Sequence, residues 1–333
     1  MILSLSLILI INIFIVINFD NISKFLNIYD FPDQKLKIHK KKVSLMGGTI
    51  IVLNIFLILI FDLIFKIINI EFFLAKKELL SFLFVLIFFY FLGLYDDKHN
   101  IKPNFKFFLS LLISIFYTMT NENIIINSFS ISIYEHRVFL ENFSIPFTVF
   151  CILILINAMN FFDGINGQSL IFFLIIFSFL LLKTLRLDFY LFIIIIILFC
   201  LYLNLKNMMF LGDNGIYVLT IILITSIIYE HNVYKQFIYA DEIFFLLLFP
   251  GIDLLRLTFS RLINGKNPFY GDRKHVHHLM IDRYSLLISN IFLIFLSILP
   301  IFLYSIFNLN FYAVFSIFLI IYSLIIKNLL HDK

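Results

Sequence analysis

Long apolar runs, each bounded by charged or turn residues, follow one another along the chain. An apolar helix of about 20 residues crosses the hydrocarbon core of a bilayer. The runs therefore predict about eleven membrane-spanning helices, near residues 2–19, 49–65, 79–95, 107–119, 145–159, 169–182, 189–205, 216–229, 243–257, 286–306 and 309–326. Four runs are short for a straight crossing, so the count is open by one. We expect an all-α integral membrane protein, a polytopic bundle that forms a single transmembrane domain over residues 1–333.

Composition supports this expectation. The chain has 333 residues, of which 62% are hydrophobic and 14% are charged, whereas soluble domains have about 45–50% and about 25%. Soluble globular and disordered classes are therefore excluded. Cys151 and Cys200 both lie in apolar runs, so we expect no disulfide framework. The first run lacks a basic segment before it and a small-residue cleavage site after it, and we interpret it as an uncleaved helix.

The distribution of basic residues predicts the orientation. If the eleven runs all cross the membrane, 18 of the 25 Lys and Arg residues fall on one side and the remaining 7 on the other. Basic residues in short loops stay in the cytoplasm. We therefore expect a multi-pass protein of the bacterial inner membrane, with the N-terminus outside and the C-terminus in the cytoplasm.

Five polar clusters interrupt the apolar pattern, and this orientation assigns all of them to the cytoplasmic face. In the first, Lys37 and His39 lie in a basic segment that leads into the pair Gly47-Gly48. This segment is either a positive-inside anchor or a site that attracts phosphate, with glycines that permit close backbone approach. The second is the pair Asp96-Asp97 at the end of the third run. Two adjacent carboxylates at a helix C-terminus are unfavourable for stability, so we prefer a magnesium or phosphate-handling site to a solvated turn.

The third and fourth clusters combine amide and carboxylate groups. Asn157, Asn160 and Asp163 are spaced i, i+3, i+6, which places them along one helical face. A mutually hydrogen-bonded cap is the alternative interpretation. Asp213 lies between glycines at the start of the eighth run, a pattern that is also common in ordinary turns. Together these clusters supply the oxygen ligands of a magnesium ion that keeps several waters.

The fifth cluster contains His275, His277 and His278, next to Arg273 and Lys274. Three histidines suggest zinc, but no cysteine accompanies them, and adjacent ligands rarely close one tetrahedral site. The basic neighbours would also repel a cation. We therefore predict that this cluster binds an anion through hydrogen bonds.

In their order and spacing these motifs resemble the polyprenyl-phosphate N-acetylhexosamine-1-phosphate transferases, the MraY/WecA-like membrane enzymes of glycosyltransferase family 4. The most specific stretches are Asn157-Ala158-x-Asn160-x-x-Asp163-Gly164-x-x-Gly167 and Asp272-Arg273-x-His275-x-His277-His278. The resemblance implies transfer of a sugar 1-phosphate from a UDP-amino sugar to a lipid phosphate, with release of UMP and with Mg²⁺ as cofactor, for which Mn²⁺ is a substitute. The chain departs from the family pattern at Lys37, where Arg or Ser is common, and at Ile216, where Ser is usual.

The resemblance also implies roles for individual residues. The expected catalytic residues are Asp96, Asp97 and Asp163, the expected metal ligands are Asn160 and Asp213, and the expected substrate-binding residues are Lys37, His39, Asn157, Asn166, Arg273, His275, His277 and His278. Asp96 and Asp97 are often described as a base for the lipid phosphate. We expect them to position it instead, because the second pKa of a phosphate monoester is about 6 and the group is already ionised at pH 7.

The histidine motif and the Pro268-Phe269 segment before it resemble the branch of the family that begins cell-surface polysaccharides, such as O-antigen or a cell-wall polymer. The expected substrates are UDP-N-acetylglucosamine and undecaprenyl phosphate. Another UDP-N-acetyl amino sugar or UDP-MurNAc-pentapeptide remains open as donor, and so does a homodimer. Nucleic acid is not an expected partner.

Two other protein classes also fit parts of the pattern. A membrane prenyltransferase would use magnesium and carboxylates, but it should carry two Asp-rich motifs with carboxylates a helical turn apart. A transporter would place ionisable residues near the middle of the bilayer.

Overall fold

The computed structural model describes residues 2–32, 41–65, 72–134, 136–235, 239–266 and 274–331. Helices α1 to α5 span Ile2–Ile17, Phe19–Leu26, Gly47–Phe65, Lys76–His99 and Pro103–Thr120. Helices α6 to α9 span Ser144–Phe162, Gln168–Thr184, Leu187–Leu205 and Gly212–Asn232. Helices α10 to α13 span Ala240–Ile263, Val276–Ile281, Leu286–Ser305 and Phe311–His331. Each of the eleven apolar runs coincides with one of these helices, so the all-α expectation is confirmed.

Two short antiparallel ribbons accompany the helices. Strand β1 (Tyr29–Asp30) pairs with β2 (Val43–Ser44), and β3 (Ser128–Phe129) pairs with β4 (Val138–Phe139). The ribbon of β1 and β2 joins α2 to α3. It therefore carries the chain from the first helices to the glycine pair at the start of α3.

Seven of the described helices are long and apolar enough to cross a membrane: α3, α4, α6, α9, α10, α12 and α13. The pair α1 and α2 meets at a bend of 71° and brings this number to eight if it forms one broken span. Helices α7 and α8 are apolar but shorter. The chain is a multi-pass membrane protein, and the number of eleven crossings stays a prediction.

Helix α9 is the central element of the bundle. Its residues from Asn214 to Glu230 are all buried, and α3, α4 and α6 pack around it. A helix that is apolar on all sides is stable only when it is surrounded in this way. Helix α9 begins at Gly212. The start of α3 and the end of α4 lie against its first turn, and the candidate site forms there.

Several helices extend beyond their apolar runs. The run at 145–159 corresponds to α6, which continues to Phe162, and the run at 243–257 corresponds to α10, which continues to Ile263. These extensions carry polar residues such as Asn160 and Arg261. Polar side chains at a helix end lower the local hydropathy without ending the helix, so an apolar run underestimates helix length there.

Candidate active site at the start of helix α9

Glycines allow α3 and α4 to approach the first turn of α9 at backbone contact. A Cβ atom on Gly93 of α4 would lie 2.5 Å from the backbone nitrogen of Asn214, and one on Gly48 of α3 would lie 2.5 Å from its carbonyl carbon. Neither position therefore has room for a side chain. The amide of Gly47 also donates to the carbonyl of Phe210 at 3.2 Å, which ties α3 to the segment before α9. This is the close approach that the glycine pair suggests.

Asp97, near the end of α4, faces the start of α9. Its Oδ1 accepts a hydrogen bond from the amide of Asp213 at 2.9 Å, and its Oδ2 accepts one from the amide of Asn214 at 3.0 Å. The side-chain amide of Asn214 donates to the same Oδ2 and also to the carbonyl of Leu45, the latter at 3.0 Å. Both oxygens of Asp97 are thus bonded to the segment that carries Asp213.

Lys106 lies at the centre of the site. Its Nζ is 2.5 Å from Oδ2 of Asp96 and forms a second ion pair with Oδ2 of Asp213. The other oxygen of Asp96 accepts the amide of Ile101 at 2.8 Å, just after α4 ends. The ammonium also lies 5.1 Å from the ring centre of Tyr217. Lys106 therefore joins the carboxylates of α4 and α9 from its place on α5.

Asn160 completes this group from the end of α6. In one orientation of its amide, Nδ2 donates to Oδ1 of Asp213 at 2.9 Å and Oδ1 accepts from Lys106 at 3.3 Å. The opposite orientation would set the amide oxygen against Oδ1 of Asp213 and the amide NH₂ against the ammonium of Lys106, so the first orientation is the one that the neighbouring groups satisfy. The structure thus brings together the amide and the carboxylate that the sequence suggests as metal ligands, although they are 53 positions apart in the chain.

The donor set fits a magnesium ion. The carboxylate oxygens of Asp213 and the amide oxygen of Asn160 are hard donors of the type that magnesium prefers, and the two side chains lie within hydrogen-bond distance of each other. Among the described residues, no group of three or more His, Cys, Asp or Glu side chains could hold a metal by itself. Magnesium does not need one, since it is usually bound by one or two carboxylates together with waters and substrate phosphates.

The turn after α6 carries Asp163 and Gly164. Burial raises the pKa of the Asp163 carboxyl to about 7, and the nearby Asp213 adds to the shift. A Cβ on Gly164 would lie 2.7 Å from Cε1 of His277 and still closer to the other side of the ring. The imidazole of His277 therefore rests on the backbone of this turn. Burial lowers the pKa of His277 well below its usual value, with further contributions from His278 and His275, so the ring is neutral at pH 7.

His275 belongs to a buried polar network. Its Nδ1 lies 2.8 Å from Oδ2 of Asp253, while Oδ1 of Asp253 accepts from Arg256 at 2.8 Å and from the hydroxyl of Tyr322 at 2.7 Å. The rings of His275 and His277 are stacked, with centres 5.4 Å apart. This network connects α10, α11 and α13. It positions the histidine segment against the turn after α6.

A cavity of about 1020 Å³ opens beside these groups. Its charged lining residues are Asp30, Lys41, Lys42, Asp96, Asp97, Asp163, Lys206 and Asp213. Asn166 also lines it, and its side chain donates to Oδ1 of Asn207 at 2.6 Å. The volume is in the range of sites that enclose a small-molecule substrate.

Some expected residues are not part of this group. The side chain of Asn157 donates to the carbonyl of Leu153 in its own helix at 2.8 Å. His275 and His277 are almost fully buried and do not line the cavity. Lys37, His39 and Arg273 lie outside the described residues. The substrate-binding roles expected of these residues stay predictions.

Sequence reasoning missed Lys106. A single lysine near the start of an apolar run is typical of a helix boundary, and only the meeting of α4, α5 and α9 shows its partners. One signal was available: Lys106 is the only charged residue in α5.

The polar helix ends, the partly buried ion pairs and the adjoining cavity together form a candidate active site in a membrane protein. The family model of glycosyl transferase family 4 matches residues 79–231, which contain Asp96, Lys106, Asn160, Asp163 and Asp213. That family comprises the MraY/WecA-like phospho-sugar transferases, and the match covers a little under half of the chain. This match agrees with the family expected from the motifs, and together with the apolar helices it supports a membrane-embedded enzyme of the polyprenyl-phosphate sugar-phosphate transferase kind. No curated protein matched the chain.

Proposed function

We propose that this protein transfers an N-acetylhexosamine 1-phosphate from a UDP-sugar, with UDP-N-acetylglucosamine as the first choice, to undecaprenyl phosphate. The products are undecaprenyl-diphosphate-sugar and UMP. The observation that carries this proposal is the meeting of Asp96, Lys106, Asn160 and Asp213 beside a cavity of about 1020 Å³, within the region matched by glycosyl transferase family 4.

Charge is the main obstacle to this reaction. An oxygen of the lipid phosphate attacks the sugar-bearing phosphorus, a new P–O bond forms, and the bond to the bridging oxygen breaks with its electron pair leaving on UMP. Both reactants are anions. Catalysis of phosphoryl transfer is therefore mostly positioning and neutralisation of charge.

Different residues of the site contribute to positioning the reactants and to neutralising their charge. The ammonium of Lys106 lies at the centre of the site, and we propose that it offsets the charge of the diphosphate from behind Asp96 and Asp213. Asp213 and Asn160 are the proposed ligands of Mg²⁺, which when bound supplies further positive charge to the diphosphate. Asp163, in the turn beside them, lines the cavity. We assign it to ordering the nucleotide side of the site.

No general base is required for the attacking group. The lipid phosphate is largely ionised at pH 7 because its second pKa is near 6. The oxygens of Asp96 are bonded to Lys106 and to the amide of Ile101. We therefore propose that Asp96 holds Lys106 in place rather than accepting a proton.

We further propose that the reaction occurs at the cytoplasmic face of a bacterial inner membrane and begins a cell-surface polysaccharide. The excess of Lys and Arg on the side of the motifs supports this orientation. Other UDP-N-acetyl amino sugars and UDP-MurNAc-pentapeptide are alternative donors.

The test uses purified protein with undecaprenyl phosphate, Mg²⁺ and a panel of UDP-amino sugars. We expect equal amounts of UMP and diphosphate-linked lipid from one donor, and no product from an Asp213→Ala variant. Glu122→Ala is the matched control, because this exposed carboxylate follows the far end of α5, about 24 Å along the helix from Lys106. It should keep full activity.

Other outcomes would refute the proposal. Lipid product from a labelled prenyl diphosphate would indicate a prenyltransferase. Labelled UDP-sugar that enters vesicles unchanged would indicate a transporter. Product formation by Asp213→Ala at the rate of the unmodified protein would remove this site from the reaction.

A further inference from the structure

The first turn of α9 is capped from another helix. The first four backbone N–H groups of a helix have no partner within it, and a side chain at the preceding position usually accepts from one of them. In α9 this position is Leu211, which has no side-chain acceptor. Asp97 of α4 accepts from two of these amides instead, those of Asp213 and Asn214.

The geometry of α4 makes this cap possible. Asp97 follows Gly93 by four residues, so both lie on the same face of the helix. At Gly93 the two helices are in backbone contact, and one turn later the carboxylate of Asp97 reaches the amides of α9. Gly212 leaves room for it: a Cβ there would lie 2.8 Å from Oδ2 of Asp97, and the φ of +70° at Gly212 disfavours any other residue.

We propose that Asp97 is a positioning residue that fixes the backbone of Asp213 and thereby directs the Asp213 carboxylate toward the metal. This inference rests on the proposed function, in which Asp213 is a metal ligand. It replaces the contact with the lipid phosphate that the sequence suggests for Asp97. The two oxygens of Asp97 already accept from three donors, so the side chain has no donor to offer an approaching phosphate.

Asp96 and Asp97 thus have different tasks despite being neighbours. Asp96 is paired with the ammonium of Lys106, the group that we propose offsets the charge of the substrate. Asp97 is bonded to the backbone and side chain of α9. Substitutions of the two should therefore change different kinetic constants.

The test compares Asp97→Asn with the unmodified protein. An amide keeps one acceptor but places an NH₂ group against a backbone N–H, so the cap is broken at nearly constant volume. We expect Mn²⁺ affinity, measured from the electron paramagnetic resonance signal of free Mn²⁺, to fall at least tenfold, which corresponds to about 1.4 kcal/mol. Raised Mg²⁺ should restore most of kcat. The KM for undecaprenyl phosphate at saturating metal should not change.

Thr148→Val is the matched control. Thr148 accepts from the amide of Ile126 at 2.8 Å, so this variant also loses a buried bond to a backbone N–H, but in the loop that leads into α6 rather than at α9. It should lower the unfolding temperature without changing Mn²⁺ affinity. If Asp97→Asn does not fold, Gly212→Ala provides the same test, because its Cβ displaces the Asp97 carboxylate while leaving it in the protein.

Three results have distinct meanings. If the Mn²⁺ affinity of Asp97→Asn is within twofold of that of the unmodified protein but its KM for undecaprenyl phosphate is raised, the inference is overturned and Asp97 contacts the lipid phosphate. If the unmodified protein forms product without binding Mn²⁺, the positioning role of Asp97 toward the metal is refuted, whereas the proposed reaction is supported. Weakened Mn²⁺ binding by Asp97→Asn, in a protein that forms no product from any donor, would support the inference and refute the proposed function.

Discussion

Replacing Gly164 by alanine should damage both stability and the site. The new Cβ would lie 2.7 Å from Cε1 of His277 and closer still to other ring atoms, whereas ordinary contact begins at about 3.4 Å. His277 is buried and sits on α11, which is joined to α10 and α13 by the network around Asp253. The ring cannot withdraw without moving that helix.

The expected cost follows from this contact. Gly164 does not have a positive φ, so its backbone conformation suits alanine. A compatible Gly→Ala change stabilises a protein by about 0.4–1 kcal/mol through the unfolded chain. Forcing an extra methyl group into a packed interior costs about 1–3 kcal/mol. We therefore expect a net loss of about 1–2 kcal/mol, and a loss of kcat of about 100-fold if the turn with Asp163 shifts by about 1 Å.

A double-mutant cycle measures this effect. Thermal unfolding is recorded for Gly164→Ala, for His277→Ala and for the double variant, because removal of the ring should make room for the new methyl group. We expect the double variant to be more stable than the sum of the single effects by at least about 1 kcal/mol. Gly251→Ala is the control, since a Cβ there meets nothing within 4 Å and should be neutral or stabilising. A stable, fully active Gly164→Ala protein would refute the reasoning.

Two further predictions concern charged groups of the site. Lys106→Met leaves the carboxylates of Asp96 and Asp213 without their ammonium. These pairs are partly buried, with Lys106 17% and Asp213 29% exposed, so the loss should be smaller than the cost of about 3–5 kcal/mol for removing one partner of a fully buried pair. Both the unfolding temperature and product formation should fall, and an unchanged unfolding temperature would contradict the pairing. Burial raises the pKa of Asp163 to about 7, against about 3.9 in the unfolded chain, so between these pH values the folded protein holds a proton that the unfolded chain has released. This group therefore lowers the free energy of unfolding as pH rises from about 4 to about 7, and Asp163→Asn should flatten the pH dependence of the unfolding temperature in that range; equal slopes for both proteins would contradict the shift.

The helices could be located from the sequence, but their ends could not. Hydropathy follows lipid contact and burial, so it locates every run that became a long helix. It does not indicate α2 or α11, because these short helices depend on packing: Ser23 of α2 donates to the hydroxyl of Ser44 at 2.8 Å, and α11 is built around buried His277. The bend of 71° between α1 and α2 is equally invisible in an apolar pattern.

The candidate site was only partly predictable for a related reason. Residue chemistry indicated that Asn160 and Asp213 should act together, and the structure brings them side by side. Chemistry alone could not separate Asp96 from Asp97, because their difference lies in which neighbouring helix each carboxylate faces. Lys106 was missed because its pairing with Asp213, 107 positions away in the chain, arises only when α5 packs beside α4 and α9.

The charge of the cavity predicts how substrate binding depends on the metal. Among the described residues, five carboxylates line it, against three lysines, Lys41, Lys42 and Lys206. Lys106 behind them is already paired with two of those carboxylates. Carboxylates therefore outnumber ammonium groups around an anionic diphosphate, even with Asp163 partly protonated at pH 7, and two like charges 4 Å apart repel by about 4 kcal/mol at an effective dielectric constant of 20. A divalent cation offsets this repulsion.

UDP-sugar affinity should consequently rise at least tenfold on addition of Mg²⁺, a dependence that can be measured by equilibrium binding of labelled donor in the absence of lipid acceptor. The Asp213→Ala variant tests the cause, because it removes a carboxylate and a metal ligand together. If repulsion alone limited binding, this variant would bind the donor more tightly without metal and would no longer respond to Mg²⁺. Equal donor affinity with and without Mg²⁺ in the unmodified protein would show that Lys106 and the three lining lysines suffice to hold the diphosphate, and that the carboxylates serve another purpose.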